Sequence, residues 1–169
     1  MRILGIDPGL DATGYGLIEW SLKEGPILKE AGLIRTRKNN PLASRLALIS
    51  KEIEALIAQH RPDRVVVEDL FSYYKTPKPA ILMGHVRGVI LSQAALHRIP
   101  VVSVLPTRVK KSVVGRGHAS KEQIARMIRM RLGIGNGQIP ADVSDALAVA
   151  LCHLDTLTPS RLYWGEAEG

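Results

Sequence analysis

Apolar positions recur along this chain in two rhythms, and the rhythms divide it into elements. Arg2 to Asp7 is a short apolar run closed by Asp-Pro-Gly, which predicts a strand with a turn behind it. Thr13 to Trp20 follows at hairpin distance, and Ile27 to Arg35 predicts a third strand. From Asn40-Pro41 the period changes. Leu42, Leu46, Ile49, Ile53, Leu56 and Ile57 return every three or four residues, with Lys51, Glu52 and Glu54 opposite, so a one-sided helix is expected. Arg64 to Glu68 is a β-branched run apolar on both faces, which predicts a central strand. A second helix over Pro79 to His97, a strand over Val101 to Val104 and a helix from Pro106 to near Gly115 come next. Ser120, with Gln123 three residues on, fits a capping box opening a helix to Leu132. Pro140 opens the last helix, to about Thr156. From Leu157 onward no period survives, and a frayed tail is expected. Three hairpin strands followed by alternating helices and strands predict one mixed α/β domain, residues 1–156, with 157–169 as a flexible tail.

Length agrees with this, because 169 residues suit one domain. With 46% apolar and 23% charged residues, a disordered or fibrous chain is excluded. No apolar run approaches the ~18–20 residues of a membrane span, and the first residues show no signal-peptide pattern. The one cysteine, Cys152, cannot form an internal disulfide. A cytoplasmic protein with no membrane partner is the expectation.

Charge becomes informative once located. The chain holds 23 Lys and Arg against 16 Asp and Glu, a net +7. Arg108, Lys110, Lys111, Arg116, Lys121, Arg126, Arg129 and Arg131 crowd one window that Glu122 alone opposes, so this window carries the whole excess. A cationic stretch of that kind is the electrostatic footprint of a polyanion, most naturally nucleic acid. Gly115-Arg116-Gly117 inside it is suited to following a phosphate backbone.

Four acids stand where chemistry can use them. Asp7 and Glu68 end apolar strands, and Asp142 and Asp145 share a face at the start of the last helix. Each has an ordinary reading by itself: a turn former, a partner for an arginine, a complement to the helix dipole. If the fold gathers them, the like charges raise one another's pKa and invite a hard divalent cation. Two such ions ~3.5–4 Å apart activate a water and stabilise a leaving 3′-oxygen. Beside the basic window, that points to metal-dependent cleavage of a phosphodiester backbone. No zinc-ligand spacing joins the five histidines to the cysteine, and no Gly-x-Ser-x-Gly elbow, Walker loop or dinucleotide fingerprint occurs.

Several blocks resemble the RuvC family of crossover-junction (Holliday junction) endodeoxyribonucleases. They are Gly5-Ile6-Asp7-Pro8-Gly9 with Thr13-Gly14-Tyr15-Gly16, Val67-Glu68-Asp69-Leu70-Phe71, Gln93, Val109-Lys110 with Val113-Val114-Gly115, and Ala141-Asp142 with Asp145-Ala146-Leu147-Ala148. The likeness runs in order from about residue 2 to residue 153. It implies an RNase H-like fold, a five-stranded mixed β-sheet flanked by α-helices. It implies Mg²⁺-dependent resolution of four-way DNA junctions in recombination and repair, cutting two strands of like polarity to leave 5′-phosphate and 3′-hydroxyl ends. Asp7, Glu68, Asp142 and Asp145 fall on the family's metal-binding acids, which implies a site for two Mg²⁺ ions once DNA is bound, with Mn²⁺ as substitute. Lys121 and Lys110 fall on basic residues near the scissile phosphate, and Phe71 on an aromatic that stacks near the junction centre. Arg108, Lys111 and Arg116 extend the DNA-binding set. A homodimer and branch-migration partners of the RuvA and RuvB type are implied as well. Where the family usually has Gln after the glutamate, this chain has Asp69, which is left outside the site.

Phe71, Tyr73 and Tyr74 hold three of the seven aromatic side chains within four positions, a pattern suited to stacking on unpaired bases at ~1–3 kcal/mol each. Gly84 and Gly88, four apart in the second predicted helix, suit helix-on-sheet packing first and a dimer contact second. Three other functions compete. An actin-like kinase or ATPase needs two lobes, whereas this length holds one. A junction-binding module would keep affinity without the acids. A relative acting on RNA would share the acids but not the basic window.

Overall fold

The computed structural model describes residues 1–69, 77–114, 120–135 and 137–158, with the side chains of Lys110, Val113 and Val114 outside that description. The strands are β1 (Arg2–Asp7), β2 (Ala12–Ser21), β3 (Gly25–Arg35), β4 (Arg64–Glu68) and β5 (Val101–Val104). The helices are α1 (Leu42–His60), α2 (Pro77–Leu96), α3 (Pro106–Val114), α4 (Lys121–Leu132) and α5 (Ala141–Leu157). The five strands form one sheet in the order β3-β2-β1-β4-β5. Hairpin connections make β1–β2 and β2–β3 antiparallel, and the helical crossovers make β1–β4 and β4–β5 parallel.

Side chains alternate across the sheet, which separates two cores. Leu4, Ile6, Val65 and Val67 face α1 and α2 through Ile49, Ile53, Val86 and Ile90. Ile3, Ile18 and Val66 face α3, α4 and α5 through Val109, Ile128 and Leu147. α5 is buried on most sides, from Val143 to Leu154, and lies across β1 and β2. It ends at Leu157, and the buried Thr158 donates its hydroxyl to Leu154 O at 2.9 Å.

Helix ends follow local chemistry. The Ser120–Gln123 capping box forms in both directions and fixes the start of α4, while Gly133 closes α4 in the left-handed region at φ 61°. α2 differs from the sequence expectation. It is long and apolar enough, by length and composition, to cross a membrane, yet only Val86, Ile90 and Ala94 are buried along it. Those three pack into the sheet core, and Gln93 Nε2 donates to Ser50 Oγ on α1 at 2.7 Å, so α2 is an integral outer layer of the fold.

Candidate active site

Alternation decides which way the strand-end acids point. Asp7 follows Ile3 and Gly5 on the α5 face of β1, and Glu68 follows Val66 on the same face of β4. Ile3 pairs with Arg64 and Ile6 with Val67, so the parallel register delivers Asp7 and Glu68 side by side at the carboxyl ends of adjacent strands. The turn after Asp7 is pinned by buried Thr13, whose hydroxyl donates to Gly9 O at 2.7 Å.

The other two acids arrive on α5, and glycine lets them approach. Gly14 lies opposite Asp7 on β2, and a Cβ built there would stand 2.0 Å from the Asp142 carbonyl oxygen. At Gly5 a Cβ would stand 2.2 Å from Ala146 O. With no side chains at these two positions, α5 rests on the sheet backbone and sets its first two turns, carrying Asp142 and Asp145, beside Asp7.

Electrostatics records the convergence. The Asp7 carboxyl is pushed up to about 7, first by burial, then by the charges of Glu68, Asp145 and Asp142, with Lys121 pulling the other way. Those neighbours come from β4, the two acids near the start of α5 and the first residue of α4. Lys121 Nζ stands 3.9 Å from Asp145 Oδ2, at the position that the capping box fixes. A cleft of about 230 Å³ opens between Glu68, Lys121 and Asp145, floored by Val109, Ile124 and Ala148.

All four acids offer oxygen, and no imidazole or thiolate is among the groups acting on Asp7. Oxygen donors with surplus negative charge suit a hard divalent cation. Among the described residues the acids lie within electrostatic range of Asp7, and no three of them stand close enough together to hold an ion as placed.

A family model described as crossover junction endodeoxyribonuclease RuvC matches residues 3–153. The chain belongs to the RuvC family. The crossover junction endodeoxyribonuclease RuvC of Rhodopirellula baltica is 47% identical over 152 residues, spanning 89% of this chain and 84% of the relative. Its namesake from Heliobacterium modesticaldum is 43% identical over 99% of both chains. Among solved structures, Thermus thermophilus RuvC in complex with Holliday junction substrate matches with a TM-score of 0.86 at 31% identity, covering 93% of this chain and 94% of that one. The fold is thus the RNase H-like fold of RuvC, as the hairpin-then-alternation pattern and the motif resemblance led one to expect.

The remaining basic residues are dispersed. Arg108 is exposed on α3, and its charge bears on Cys152 and His153, about two turns along α5 from Asp145. Lys111 is exposed on the same helix. Arg131, part of the basic window, is instead held by Asp155: Nη1 donates to Oδ2 at 2.9 Å and Nη2 to Oδ1 at 2.5 Å, with Ser112 Oγ donating to the same carboxylate. Its charge is spent tying α4 to α5. Phe71, Tyr73, Tyr74, Arg116 and the Lys110 side chain lie outside the described residues.

Asp69 and Glu68 both meet α2. Arg87 Nη1 donates to the Glu68 carbonyl oxygen at 2.7 Å, and Nη2 stands 3.3 Å from Asp69 Oδ1. An arginine thus meets Glu68 at its main-chain carbonyl. Sequence reading passed over Arg87; its signal was a lone arginine inside an apolar helical run.

Proposed function

We propose that this protein resolves four-way DNA junctions by divalent-metal-dependent hydrolysis of phosphodiester bonds in two strands of like polarity, leaving 5′-phosphate and 3′-hydroxyl ends. It is a crossover junction endodeoxyribonuclease by family, acting in DNA recombination. The observation that carries the mechanism is the gathering of four carboxylates from β1, β4 and α5 at one cleft, where the Asp7 carboxyl is raised first by burial and then by the charges of Glu68, Asp145 and Asp142.

Asp7, Glu68, Asp142 and Asp145 would hold Mg²⁺, with Mn²⁺ as a substitute and two ions per site when DNA is present. Bound there, the ions supply Lewis-acid charge and an activated water. The chain's own part is to gather and orient the carboxylates, with β1, β4 and α5 as rigid supports. Lys121 offers its ammonium at the cleft, where the charge developing on a phosphate would be met. Arg108, Lys110, Lys111 and Arg116, with Lys121, form the backbone-binding set, and Phe71 stacks at the junction centre. Binding that rests on such contacts weakens with salt, by ~0.9 in log K per log salt for each phosphate neutralised.

A homodimer is supported by α2. Ile81 is 57% and Leu96 73% exposed, and a Cβ at Gly88 would meet nothing within 4 Å. Helix-on-sheet packing thus gives Gly88 no reason to be glycine, and close approach of a second α2 does. Two copies would present two sites to two strands. The working protein is a cytoplasmic single nuclease domain over residues 1–156 that meets RuvA- and RuvB-type branch-migration proteins.

The test is a four-way junction labelled on each strand in turn, beside a linear duplex of the same sequence. Expected are paired nicks in opposing strands, dependent on Mg²⁺ and abolished by chelation. Equal cutting of the linear duplex would count against junction specificity.

A further inference from the structure

Glu68 is the last residue of β4, and strand ends fray unless something takes their free backbone groups. Here the amide of Asp69 still donates to Val104 O at 2.9 Å, continuing the pairing with β5. The Glu68 carbonyl goes elsewhere, to Arg87 Nη1 at 2.7 Å. Nη2 of the same guanidinium donates to Ser103 Oγ on β5 at 2.5 Å and pairs with Asp69 Oδ1 at 3.3 Å. One planar group therefore joins the middle of α2 to the ends of two strands. Its side chain is 12% exposed, so these contacts are partly shielded from water.

The placement points to an indirect role. α2 packs against Leu4, Ile6, Val65 and Val67, whereas Asp7 and Glu68 share the opposite face with Ile3, Gly5 and Val66. Arg87 reaches Glu68 from the α2 side, on its main-chain carbonyl. Whatever Arg87 does for the chemistry, it does through Glu68.

We propose that Arg87 is a positioning residue of the nuclease site, clamping the main chain of Glu68 so that its carboxylate meets the metal at a fixed point. This rests on the reading of Glu68 as a metal ligand. The geometry needs arginine: a rigid fork reaches a carbonyl, a hydroxyl and a carboxylate at once, where a lysine is a single flexible point charge. Asp69 belongs to the clamp. Its carboxylate balances the guanidinium, which accounts for an acid at a position where the resemblance led one to expect an amide.

The test compares wild type, Arg87→Ala, Arg87→Lys, Ser103→Ala and Glu68→Gln. Each is measured for single-turnover junction cleavage, junction affinity with metal chelated, Mn²⁺ binding to the protein alone by calorimetry, and thermal midpoint. Arg87→Ala is expected to cut about 10- to 100-fold more slowly and to bind Mn²⁺ more weakly, the usual consequence of removing a group that orients a ligand. Junction affinity should stay within about twofold, because a positioning group acts in turnover rather than in uniform binding. Arg87→Lys should fall between the two. If Arg87→Ala does not fold, Ser103→Ala carries the test, with cleavage and Mn²⁺ binding both reduced by about 2- to 5-fold. A folded Arg87→Ala that cuts and binds Mn²⁺ like wild type, while Glu68→Gln is inactive, overturns the clamp and leaves the ligand reading standing. Wild-type cutting by Glu68→Gln removes the ligand reading itself.

Discussion

Replacing Asp7 by asparagine should make the metal-free protein more stable while abolishing its activity. The Asp7 carboxyl sits at about 7 instead of 3.8, because burial and three neighbouring carboxylates disfavour its charge. Above pH 7 the side chain is ionised in both folded and unfolded chains, and the folded state bears the difference. At ~1.4 kcal/mol per tenfold change in proton affinity, that is ~4 kcal/mol. Asp7 is only half-buried, so solvent and relaxation reduce the recoverable gain to about 1–3 kcal/mol. The sign follows from proton uptake. Between pH 4 and 7 the folded protein holds a proton that the unfolded chain has lost, so wild-type stability falls as pH rises across that window. The asparagine variant lacks this slope. Urea denaturation with chelator at pH 8 and at pH 4 measures both curves. The variant should gain at pH 8 and approach wild type at pH 4, and added Mg²⁺ should stabilise wild type more than the variant. A variant less stable than wild type at pH 8 would refute the claim that the acids crowd one another.

Gly14→Ala forces a methyl into the Asp142 carbonyl, which a built Cβ would meet at 2.0 Å. It should cost about 1–3 kcal/mol in denaturant melts, and cleavage should fall by roughly 100-fold as Asp142 is displaced by an ångström. Lys121→Ala should lower the cleavage rate at saturating protein more than it weakens junction binding, since a contact made mainly in the transition state appears in turnover. Gly88→Arg, placed where a Cβ has open space, should leave the fold intact and shift sedimentation from dimer to monomer.

Much of the fold was legible because its signals are local. Period-two runs, the Asn40-Pro41 opening and the Ser120–Gln123 box each specify an element from within a few residues. The acids were legible for a related reason: a carboxylate ending an apolar strand has few structural tasks, and Asp142 and Asp145 share a helix face. What stayed hidden depends on contacts between distant segments. The role of Gly14 requires knowing that α5 lies over β2. Arg131 counted toward a DNA-binding charge until its fork met Asp155, 24 residues on. Arg87 serves strands that sequence places 19 and 16 residues away. α2 has the length and composition of a membrane span, and only its contacts with the sheet core through Val86, Ile90 and Ala94 mark it as a layer of the fold.

The proposal that four acids share one metal pocket is tested most directly by titrating Mn²⁺ into wild type and into Asp7→Asn, Glu68→Gln, Asp142→Asn and Asp145→Asn, with junction binding and cutting followed on the same samples. Each amide variant should bind Mn²⁺ more weakly and fail to cut while still binding the junction. A folded variant among the four that binds Mn²⁺ and cuts like wild type would contradict it.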